Sequence, residues 1–286
     1  MSKFFTIITA TYNAEDALPR LLDSLAVQTY RNFEWVMQDG ASNDRSVMIA
    51  ESYEPVIPSM SIASEEDSGI YDAWNKALDH IKGEWVLFMG ADDIFASPDS
   101  LEKIADFLNT VPQHVEFLAC NVELIHKTGE YIKSLKPNTI PCESIKIGMP
   151  FPHQGLFQRG YVLKQNKFSS ELKIVGDHDF LCRTLSPQNY QICPEQPVKM
   201  TVGGVSSSAS GAITVAKERI YVIRKHYGVL YTYQGVWRLL KACIREGLSK
   251  IFNDQIVAQV ADCYRTLVRE TPVWRRITSE SKKTKL

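Results

Sequence analysis

Residues 85–93 read WVLFMGADD, a continuous apolar run of five residues that is followed closely by two carboxylates. An uninterrupted run of this length is typical of a strand in the middle of a parallel sheet that helices cover on both faces. Similar runs lie at residues 4–10 (FFTIITA) and 33–37 (FEWVM), and a weaker one lies at residues 61–63. Helical patterns separate these runs, so the sequence predicts right-handed βαβ units in an open α/β sheet.

The pattern changes in the second half of the chain. Residues 115–135 predict two strands joined by a turn, and residues 198–204 predict a last strand before a Ser-rich loop at 205–211. Beyond this loop the apolar residues recur at helical spacing only. We therefore predict two domains, an α/β domain at residues 1–213 and a basic, amphipathic helical extension at residues 214–286.

The charge is unevenly distributed along the chain. The 286 residues have a formal net charge of −1, and their composition is that of a globular protein, which argues against a disordered chain or a dedicated nucleic-acid binder. Residues 217–286 carry 15 Lys and Arg against 6 Asp and Glu, whereas residues 1–216 carry 17 against 27. The resulting net charges of +9 and −10 indicate a basic region suited to a polyanionic surface.

Cysteine usage and hydropathy bear on the cellular compartment. The six cysteines include no C-x-x-C pair, which is typical of free thiols in a reducing compartment. The N-terminal apolar run is interrupted too early for a signal peptide, and no run approaches the roughly 18 apolar residues of a membrane helix. We expect a cytoplasmic protein that attaches peripherally to the inner face of the plasma membrane.

Carboxylates follow three of the four predicted parallel strands. They lie at residues 39–44 (DGASND), 65–69 (EEDSG) and 90–93 (GADD). Ligands of open α/β sheets bind at this edge, and clustered like charges repel one another unless a cation or ligand offsets them. Helix capping is the alternative explanation for any single carboxylate. Asp92 and Asp93 are the predicted ligands of Mg²⁺ or Mn²⁺.

Three common nucleotide and hydrolase motifs are absent from the sequence. No G-x-G-x-x-G follows the first strand, and neither G-x-x-x-x-G-K-[ST] nor G-x-S-x-G occurs. The first absence argues against a dinucleotide-dependent oxidoreductase, and the others exclude a P-loop enzyme and a nucleophile-elbow hydrolase.

Seven short motifs in order resemble inverting, nucleotide-sugar-dependent glycosyltransferases of the GT-A fold, in glycosyltransferase family 2. The resemblance extends over residues 3–208 and is greatest to bacterial enzymes of colanic-acid, capsule and O-antigen assembly. The motifs are TATYN (9–13), QDGASNDRS (38–46), SEEDSGIYDAWNKAL (64–78), FMGADD (88–93), HQ (153–154), GDHDFLCR (176–183) and GGVS (203–206).

The resemblance implies an enzyme of the hexosyltransferase type with a mostly parallel central sheet flanked by helices. It would transfer a sugar from a nucleotide-diphosphate donor, with a UDP-sugar favoured, to an acceptor hydroxyl with inversion, assisted by a metal ion. Asp39 would accept a hydrogen bond from a base N–H. The residues implied to bind the donor are Thr9, Tyr12, Asn13, Asp39, Asp67, Gly69, Asn75, Lys76 and Asp92.

Two motif positions depart from the family pattern. The acidic metal motif falls on residues 90–93, where Gly90 replaces its first carboxylate, so the ligand is either Asp92 or Asp93 or both. Trp74 stands where typical members carry an Arg, and Lys76 is the alternative source of positive charge for a phosphate.

The resemblance also implies a catalytic base and an acceptor site. The family's Glu-Asp pair aligns with residues 176–177, which makes Asp177 the base, with Asp179 as the neighbouring alternative and helix capping as the structural one. His153, Gln154 and Arg183 are the expected acceptor-site residues.

Two other function classes remain open. A nucleotidyltransferase also needs paired carboxylates and a metal, but it carries a basic, Gly-rich loop after its first strand, which this chain lacks. A catalytically degenerate module that only binds nucleotide-sugar is consistent with the altered metal motif. Product formation would distinguish an enzyme from such a module.

Residues 236–252 predict a helix with one apolar stripe and a basic opposite face. The stripe contains Val236, Leu239, Leu240, Cys243, Ile244, Leu248 and Ile251, and the basic face contains Arg238, Lys241 and Arg245. We expect this helix to lie on an anionic membrane, and the resemblance implies a saccharide acceptor linked to polyprenyl diphosphate. Packing on the catalytic domain or on a partner subunit is the alternative.

Overall fold

The computed structural model describes residues 3–203, 209–229 and 233–251, together with residues 256, 259, 260, 262, 263 and 266. Its strands are β1 (Lys3–Thr11), β2 (Phe33–Asp39), β3 (Met60–Ser64), β4 (Gly83–Phe88), β5 (Ile94–Phe95), β6 (Phe117–Ile125), β7 (Tyr131–Leu135), β8 (Leu156–Arg159) and β9 (Tyr190–Thr201). Its helices are α1 (Leu18–Ala26), α2 (Ser46–Glu51), α3 (Ile70–Ala77), α4 (Ser100–Leu108), α5 (Pro141–Ser144), α6 (Gly160–Asn166), α7 (Gly176–Thr184), α8 (Ala209–Tyr227) and α9 (Tyr233–Ile251). A 3₁₀ turn at His153–Gly155 immediately precedes β8.

The apolar runs form the parallel half of the sheet. Strand β1 pairs in parallel with β2 and with β4, and β2 pairs in parallel with β3. The register places Thr11 beside Asp39 and Asp39 beside Ser64. The carboxyl ends of three strands therefore meet at one edge, and the predicted α/β fold is confirmed.

The other half of the sheet is antiparallel. The strand order is β3-β2-β1-β4-β8-β6-β9-β5, with β7 paired to β6. The two strands predicted at residues 115–135 are β6 and β7, and the His126 N–H donates to the Glu130 carbonyl across their turn. Strand β9 begins at Tyr190, eight residues before the predicted strand. The sequence pattern does not indicate this first part of the strand, because Pro194 and Pro197 interrupt the apolar residues there.

Helices cover both faces of the sheet. On one face, α1 buries Leu18, Leu21, Leu22 and Leu25 completely, and burial of each leucine contributes about 1.5–3 kcal/mol. On the other face, four side chains form an aromatic cluster in which the centroids of neighbouring rings lie 4.4–5.7 Å apart. The aromatic cluster consists of Tyr71 and Trp74 from α3, Phe88 from β4, and Phe168.

The chain divides into two compact units, residues 1–123 with 134–200 and residues 124–133 with 201–286. Within the second unit α8 and α9 pack closely at Gly235. A Cβ at this position would lie only 2.7 Å from Ile220 Cγ1. The predicted boundary after residue 213 stays a prediction, and residues 204–208 of the predicted Ser-rich loop lie outside the described residues. In the described part of the chain no helix has the length and hydropathy to cross a membrane.

Candidate active site

Asp39, the last residue of β2, is enclosed by hydrogen-bond donors. Its Oδ1 accepts bonds from the hydroxyls of Thr11 (2.9 Å) and Ser42 (2.5 Å). Its Oδ2 accepts bonds from the Ser42 N–H (2.8 Å) and the Ser64 hydroxyl (2.7 Å). Burial alone would raise the pKa of Asp39, but these bonds stabilise the carboxylate more strongly and hold its pKa below the ordinary value.

This arrangement makes Asp39 a link between the ends of three strands. Each of its oxygens already has two donors, so a nucleotide base N–H would have to replace one of them. Thr9 is likewise fully buried, and its hydroxyl accepts a bond from the Trp35 indole N–H at 3.0 Å. The Thr9 side chain therefore lies in the protein interior, where a ligand does not reach it.

Tyr12 and Asn13 lie exposed at the end of β1. Asn13 has a φ of 49°, a left-handed conformation that Asn tolerates. Its side-chain oxygen accepts the Asn43 N–H at 3.0 Å, and its own N–H donates to the Ser42 hydroxyl at 2.8 Å. Tyr12 is 65% exposed, so its ring is accessible to a ligand at this edge.

Asp67 reaches the same edge from the loop after β3. Its Oδ1 accepts the Gly69 N–H at 2.8 Å, and a Cβ on Gly40 would lie only 2.6 Å from its Oδ2. Gly40 therefore leaves room for the Asp67 carboxylate directly after β2. Gly69 has a φ of 133°, which only glycine adopts readily, and this residue begins the turn into α3.

Lys76 of α3 faces the acidic loop. Its Nζ donates to the Glu66 carbonyl at 2.6 Å and lies 3.5 Å from Glu65 Oε2 and 3.9 Å from Asp72 Oδ2. Lys76 thus offsets negative charge within the protein, and a donor phosphate would compete with these carboxylates for it.

Asn75 holds a backbone segment with both ends of its amide. Its Nδ2 donates to the Phe168 carbonyl and its Oδ1 accepts the Phe168 N–H, each at 2.8 Å. Phe168 belongs to the aromatic cluster, so Asn75 fixes α3 to the segment after α6 and retains one amide N–H that could bind a nucleotide-sugar.

Asp92 and Asp93 follow β4, and both carboxylates lie close to Gly90. A Cβ on Gly90 would lie 3.1 Å from Asp92 Oδ1 and 3.1 Å from Asp93 Oδ2. Asp93 is 2% exposed and its Oδ2 accepts the Gly90 N–H at 2.8 Å, whereas Asp92 is half-buried. Among the described residues, no group of three or more His, Cys, Asp and Glu side chains is arranged to hold a metal ion.

Asp177 lies in the first turn of α7 and is anchored through one oxygen. Its Oδ1 accepts the His178 N–H at 2.8 Å and faces the Tyr71 hydroxyl at 3.3 Å. Tyr71 also donates to the Ile174 carbonyl at 2.7 Å. Burial and the charge of Asp177 raise the pKa of Tyr71 far above its ordinary value, so the phenol keeps its proton. The helix-capping position of α7 is Val175 and not Asp177.

The second oxygen of Asp177 faces His153. Its Oδ2 lies 3.8 Å from His153 Nδ1, and no hydrogen bond to this oxygen is present among the described residues. The imidazole is stacked on Trp74 with centroids 4.9 Å apart and planes 9° apart, and it also contacts Phe88 at 5.4 Å. Burial lowers the pKa of His153, and the nearby Asp177 only partly opposes this effect.

Asp179 and Arg183, one turn apart on α7, form a structural pair. Asp179 is 1% exposed, and its Oδ2 accepts the Arg183 Nε–H at 3.1 Å. The remaining nitrogens of Arg183 donate to the carbonyls of Asn166 and Lys167, each at 2.8 Å. Arg183 therefore closes the end of α6, and Asp179 is less accessible than Asp177.

The structure brings together some of the predicted residues and adds one. Asp177 and His153 meet at the aromatic cluster, Gln154 is half-buried beside His153, and Phe88 of the same cluster lies two residues before Gly90. Tyr71 is not recognisable as a site residue from the sequence, because its contacts with residues 174 and 177 span about a hundred residues of chain.

Comparison with a protein-family model gives a match over more than half of the chain. The description of that family is Glycosyl transferase family 2, and the match covers residues 6–162. A Haemophilus influenzae protein named an uncharacterized glycosyltransferase is 30% identical over 233 residues, which are 78% of this chain and 76% of that protein.

A Mycobacterium bovis protein is more similar over a shorter stretch. This PGL/p-HBAD biosynthesis glycosyltransferase is 41% identical over 105 residues, which are 36% of this chain and 41% of that protein. The matched stretch therefore spans about two fifths of that relative's length.

Two solved structures share the fold over most of this chain. S. aureus TarS residues 1–349 aligns with a TM-score of 0.63 and 20% identity over 98% of this chain and 92% of that one. The mannosyltransferase PcManGT from Pyrobaculum calidifontis, in complex with GDP-Man and Mn²⁺, aligns with a TM-score of 0.63 and 18% identity over 98% of this chain and 85% of that one.

Proposed function

This chain belongs to glycosyl transferase family 2, and from that membership we propose that it transfers a sugar from a nucleotide-diphosphate donor to a saccharide hydroxyl. The transfer inverts the configuration at the anomeric carbon of the sugar. A UDP-sugar is the favoured donor, which is supported by the TarS structure in complex with UDP-GlcNAc. The acceptor belongs to bacterial surface polysaccharide assembly.

The observation that carries this proposal is the state of Asp177. One oxygen is held by the His178 N–H and lies near the Tyr71 hydroxyl, while the other accepts no hydrogen bond among the described residues. An anchored carboxylate with an open oxygen is suited to general base catalysis. Asp179 is buried in its pair with Arg183, which supports Asp177 as the base.

The proposed sugar transfer is a single displacement at the anomeric carbon. The acceptor oxygen forms a bond to the anomeric carbon, and the bond from that carbon to the diphosphate oxygen breaks. The proton of the acceptor hydroxyl passes to Oδ2 of Asp177, and the nucleoside diphosphate leaves with the electron pair of the broken bond. Where the nucleotide-sugar donor binds, Tyr12 offers its exposed ring to the nucleotide base. Asn13, Asp67 and Gly69 shape the neighbouring edge of the sheet.

Asp92 and Asp93 fit a divalent cation that takes only one or two of its ligands from the protein. Mg²⁺ is commonly bound by one or two carboxylates together with substrate phosphates, and Asp92 offers one carboxylate that is partly exposed. Asp93 already accepts the Gly90 N–H, so it is the supporting ligand at most. A cation held there would offset the charge of the departing diphosphate.

The test is turnover of a panel of UDP-, GDP- and dTDP-sugars by the full chain and by Asp177→Asn. We expect donor-dependent product formation with one nucleotide class, and a loss on the order of 10²-fold or more in kcat for the variant with donor binding retained. Asp179→Asn should mainly lower the thermal unfolding temperature.

The two rival functions give different results in the same assay. Nucleotide binding without product would identify a binding module, and release of pyrophosphate from a sugar phosphate and a nucleoside triphosphate would identify a nucleotidyltransferase. If Asp179→Asn abolishes turnover and Asp177→Asn does not, the base is Asp179.

The second unit supports a proposal on location, namely peripheral attachment to an anionic membrane that carries a polyprenyl-diphosphate-linked acceptor. On α9, Val236, Leu240 and Ile244 recur every four residues and are 46%, 51% and 62% exposed. Trp237 is 57% exposed beside them, and Lys241 Nζ lies 5.4 Å from its ring centroid. Residue 252 and the side chains of Arg238, Arg245, Leu248 and Ile251 lie outside the described residues.

A further inference from the structure

His153 is a buried polar side chain whose ring nitrogens have no hydrogen-bond partner within the described residues. Its side chain is 10% exposed, and both Nδ1 and Nε2 are shielded from solvent. Native structures seldom leave such atoms unpaired, and a role in catalysis is one of the explanations for the exceptions. The unpaired nitrogens of His153 therefore call for an explanation beyond packing.

The polar atom that faces this ring is the open oxygen of the proposed base. Asp177 Oδ2 lies 3.8 Å from His153 Nδ1, about 1 Å beyond a hydrogen bond. Trp74 determines the plane of the imidazole, because the two rings are nearly parallel. Catalytic hydrogen bonds are often long in the absence of substrate and shorten when substrate binds.

We propose that His153 is a positioning residue for the base: its Nδ1 carries a proton and donates it in a hydrogen bond to Asp177 Oδ2, while Trp74 holds the ring in the required plane. This proposal rests on the assignment of Asp177 as the base in the proposed function. With Oδ1 held by the His178 N–H and Oδ2 oriented by His153, the carboxylate keeps one lone pair of Oδ2 directed at the acceptor hydroxyl.

The surroundings keep this imidazole uncharged. Burial lowers the pKa of His153, with Asp177 as the opposing influence, so at neutral pH the ring is a neutral donor. A full positive charge at this distance would stabilise the carboxylate and weaken it as a base. The contacting rings from α3 and β4, Trp74 and Phe88, carry no charge. Tyr71, which packs on Trp74 and lies beside Asp177, stays protonated.

Two substitutions at His153 separate positioning from packing. His153→Phe keeps a ring on Trp74 but removes both nitrogens, whereas His153→Asn loses the ring but keeps an amide N–H close to the place of Nδ1. We expect His153→Phe to lower kcat about tenfold with the donor KM unchanged, and His153→Asn to stay within about threefold of the wild type. His80→Phe, at an exposed position, is the matched control and should leave turnover unchanged.

A second measurement does not depend on turnover. Titration of the His153 ring by NMR in the full chain should give a lower pKa in Asp177→Asn than in the wild type, because the opposing carboxylate is lost. Identical titration curves would overturn the proposal, as would wild-type kcat in His153→Phe together with a loss in His153→Asn. If Asp177→Asn cripples turnover but His153→Phe does not, the positioning role alone fails. If Asp177→Asn keeps full turnover, the base assignment fails with it.

Discussion

The carboxylates of this site differ in how many hydrogen-bond donors already surround them. Asp39 accepts four bonds and is fully buried, and Asp179 is buried against Arg183. Asp177 keeps one oxygen without a hydrogen bond in the described structure. A carboxylate supplied with donors at every lone pair remains ionised and fixed, whereas one with an open oxygen can receive a proton. This difference separates residues that hold the strand ends from the residue proposed to act.

Asp92 and Asp93 should respond differently to the loss of charge. We expect Asp92→Asn to lower metal-dependent turnover on the order of 10²-fold and to raise the Mn²⁺ concentration needed for half-maximal activity. Asp93→Ala should instead lower the free energy of unfolding by about 1–3 kcal/mol, because it removes the buried oxygen that accepts the Gly90 N–H. Asp106→Asn, on an exposed face of α4, is the control. Full wild-type activity in EDTA would contradict the metal role.

Asp39 should make stability depend on pH in the acid range. Its pKa in the folded protein lies below its unfolded value of about 3.9. The stabilisation is therefore fully present above the unfolded pKa and is lost as pH falls through the folded pKa. Denaturant unfolding of wild type and Asp39→Asn should differ by a constant amount above about pH 5 and converge below about pH 4. A difference that does not change with pH, or the same behaviour in the exposed control Asp16→Asn, would contradict this account.

Only part of the site is predictable from single residues in the sequence. The positions of Asp67, Asp92 and Asp177 follow from local patterns, because each comes just after a strand or in the first turn of a helix. The enclosure of Asp39 is not predictable in this way, since Ser64 lies 25 residues away and reaches it only through the register of β2 and β3. The same holds for Asn75, whose partner Phe168 is 93 residues distant.

At the scale of elements, α3 and α7 approach each other through a glycine. A Cβ on Gly176 would lie 2.7–2.9 Å from three ring atoms of Tyr71. This is the position at which the resemblance implies a Glu, and the Tyr71 ring occupies the space that such a side chain would need. The missing carboxylate is therefore coupled to the packing that sets Tyr71 beside Asp177.

Gly176→Ala should therefore act on stability and on turnover together. The added methyl group should cost about 1–3 kcal/mol of unfolding free energy through overpacking, and kcat should fall as Tyr71 moves from Asp177. Gly247→Ala is the matched control, because its added Cβ has no atom within 4 Å among the described residues apart from its chain neighbours and its own helix backbone, and Ala stabilises a helix by about 0.5–1 kcal/mol relative to Gly. Unchanged stability and turnover in Gly176→Ala would show that the close approach of α3 and α7 at this residue is not needed for folding or for catalysis.

Local sequence predicts the parallel strands and most of the antiparallel ones, but it does not predict how the antiparallel strands pair. Strands β1, β2 and β4 are dense apolar runs, which local sequence reveals directly. The place of β8 between β4 and β6 depends on pairings between distant segments, such as Val86 with Gln158, that leave no periodic signal in either strand. Helices α4, α5 and α6 are not among the predicted elements, and α5 and α6 are shorter than two and a half turns.

At the scale of the whole molecule, charge and exposed apolar surface coincide in the second unit. Residues 217–286 carry a net charge of +9, from 15 basic and 6 acidic residues. The buried side of α9 includes Gly235 and Ala242, whereas the predicted apolar stripe is divided, with Leu239 half-buried and Val236, Leu240 and Ile244 exposed. An apolar row flanked by Trp237 and Lys241 has the chemistry of a helix that lies in the headgroup region of a bilayer.

Loss of apolar side chains from this exposed row should therefore weaken the proposed membrane attachment without affecting the fold. We expect the full chain to float with vesicles containing an anionic phospholipid at low salt and to remain behind in high salt, because each basic residue near the surface contributes about 1 kcal/mol. Leu240→Ser with Ile244→Ser should lower partitioning more than tenfold, since each lost side chain forfeits about 1.5–3 kcal/mol of apolar burial. Ile140→Ser, at a position that is 62% exposed outside this helix, controls for hydrophobicity alone. If the full-length protein does not bind anionic vesicles at low salt, the membrane proposal is wrong and the exposed row is an interface for another protein chain.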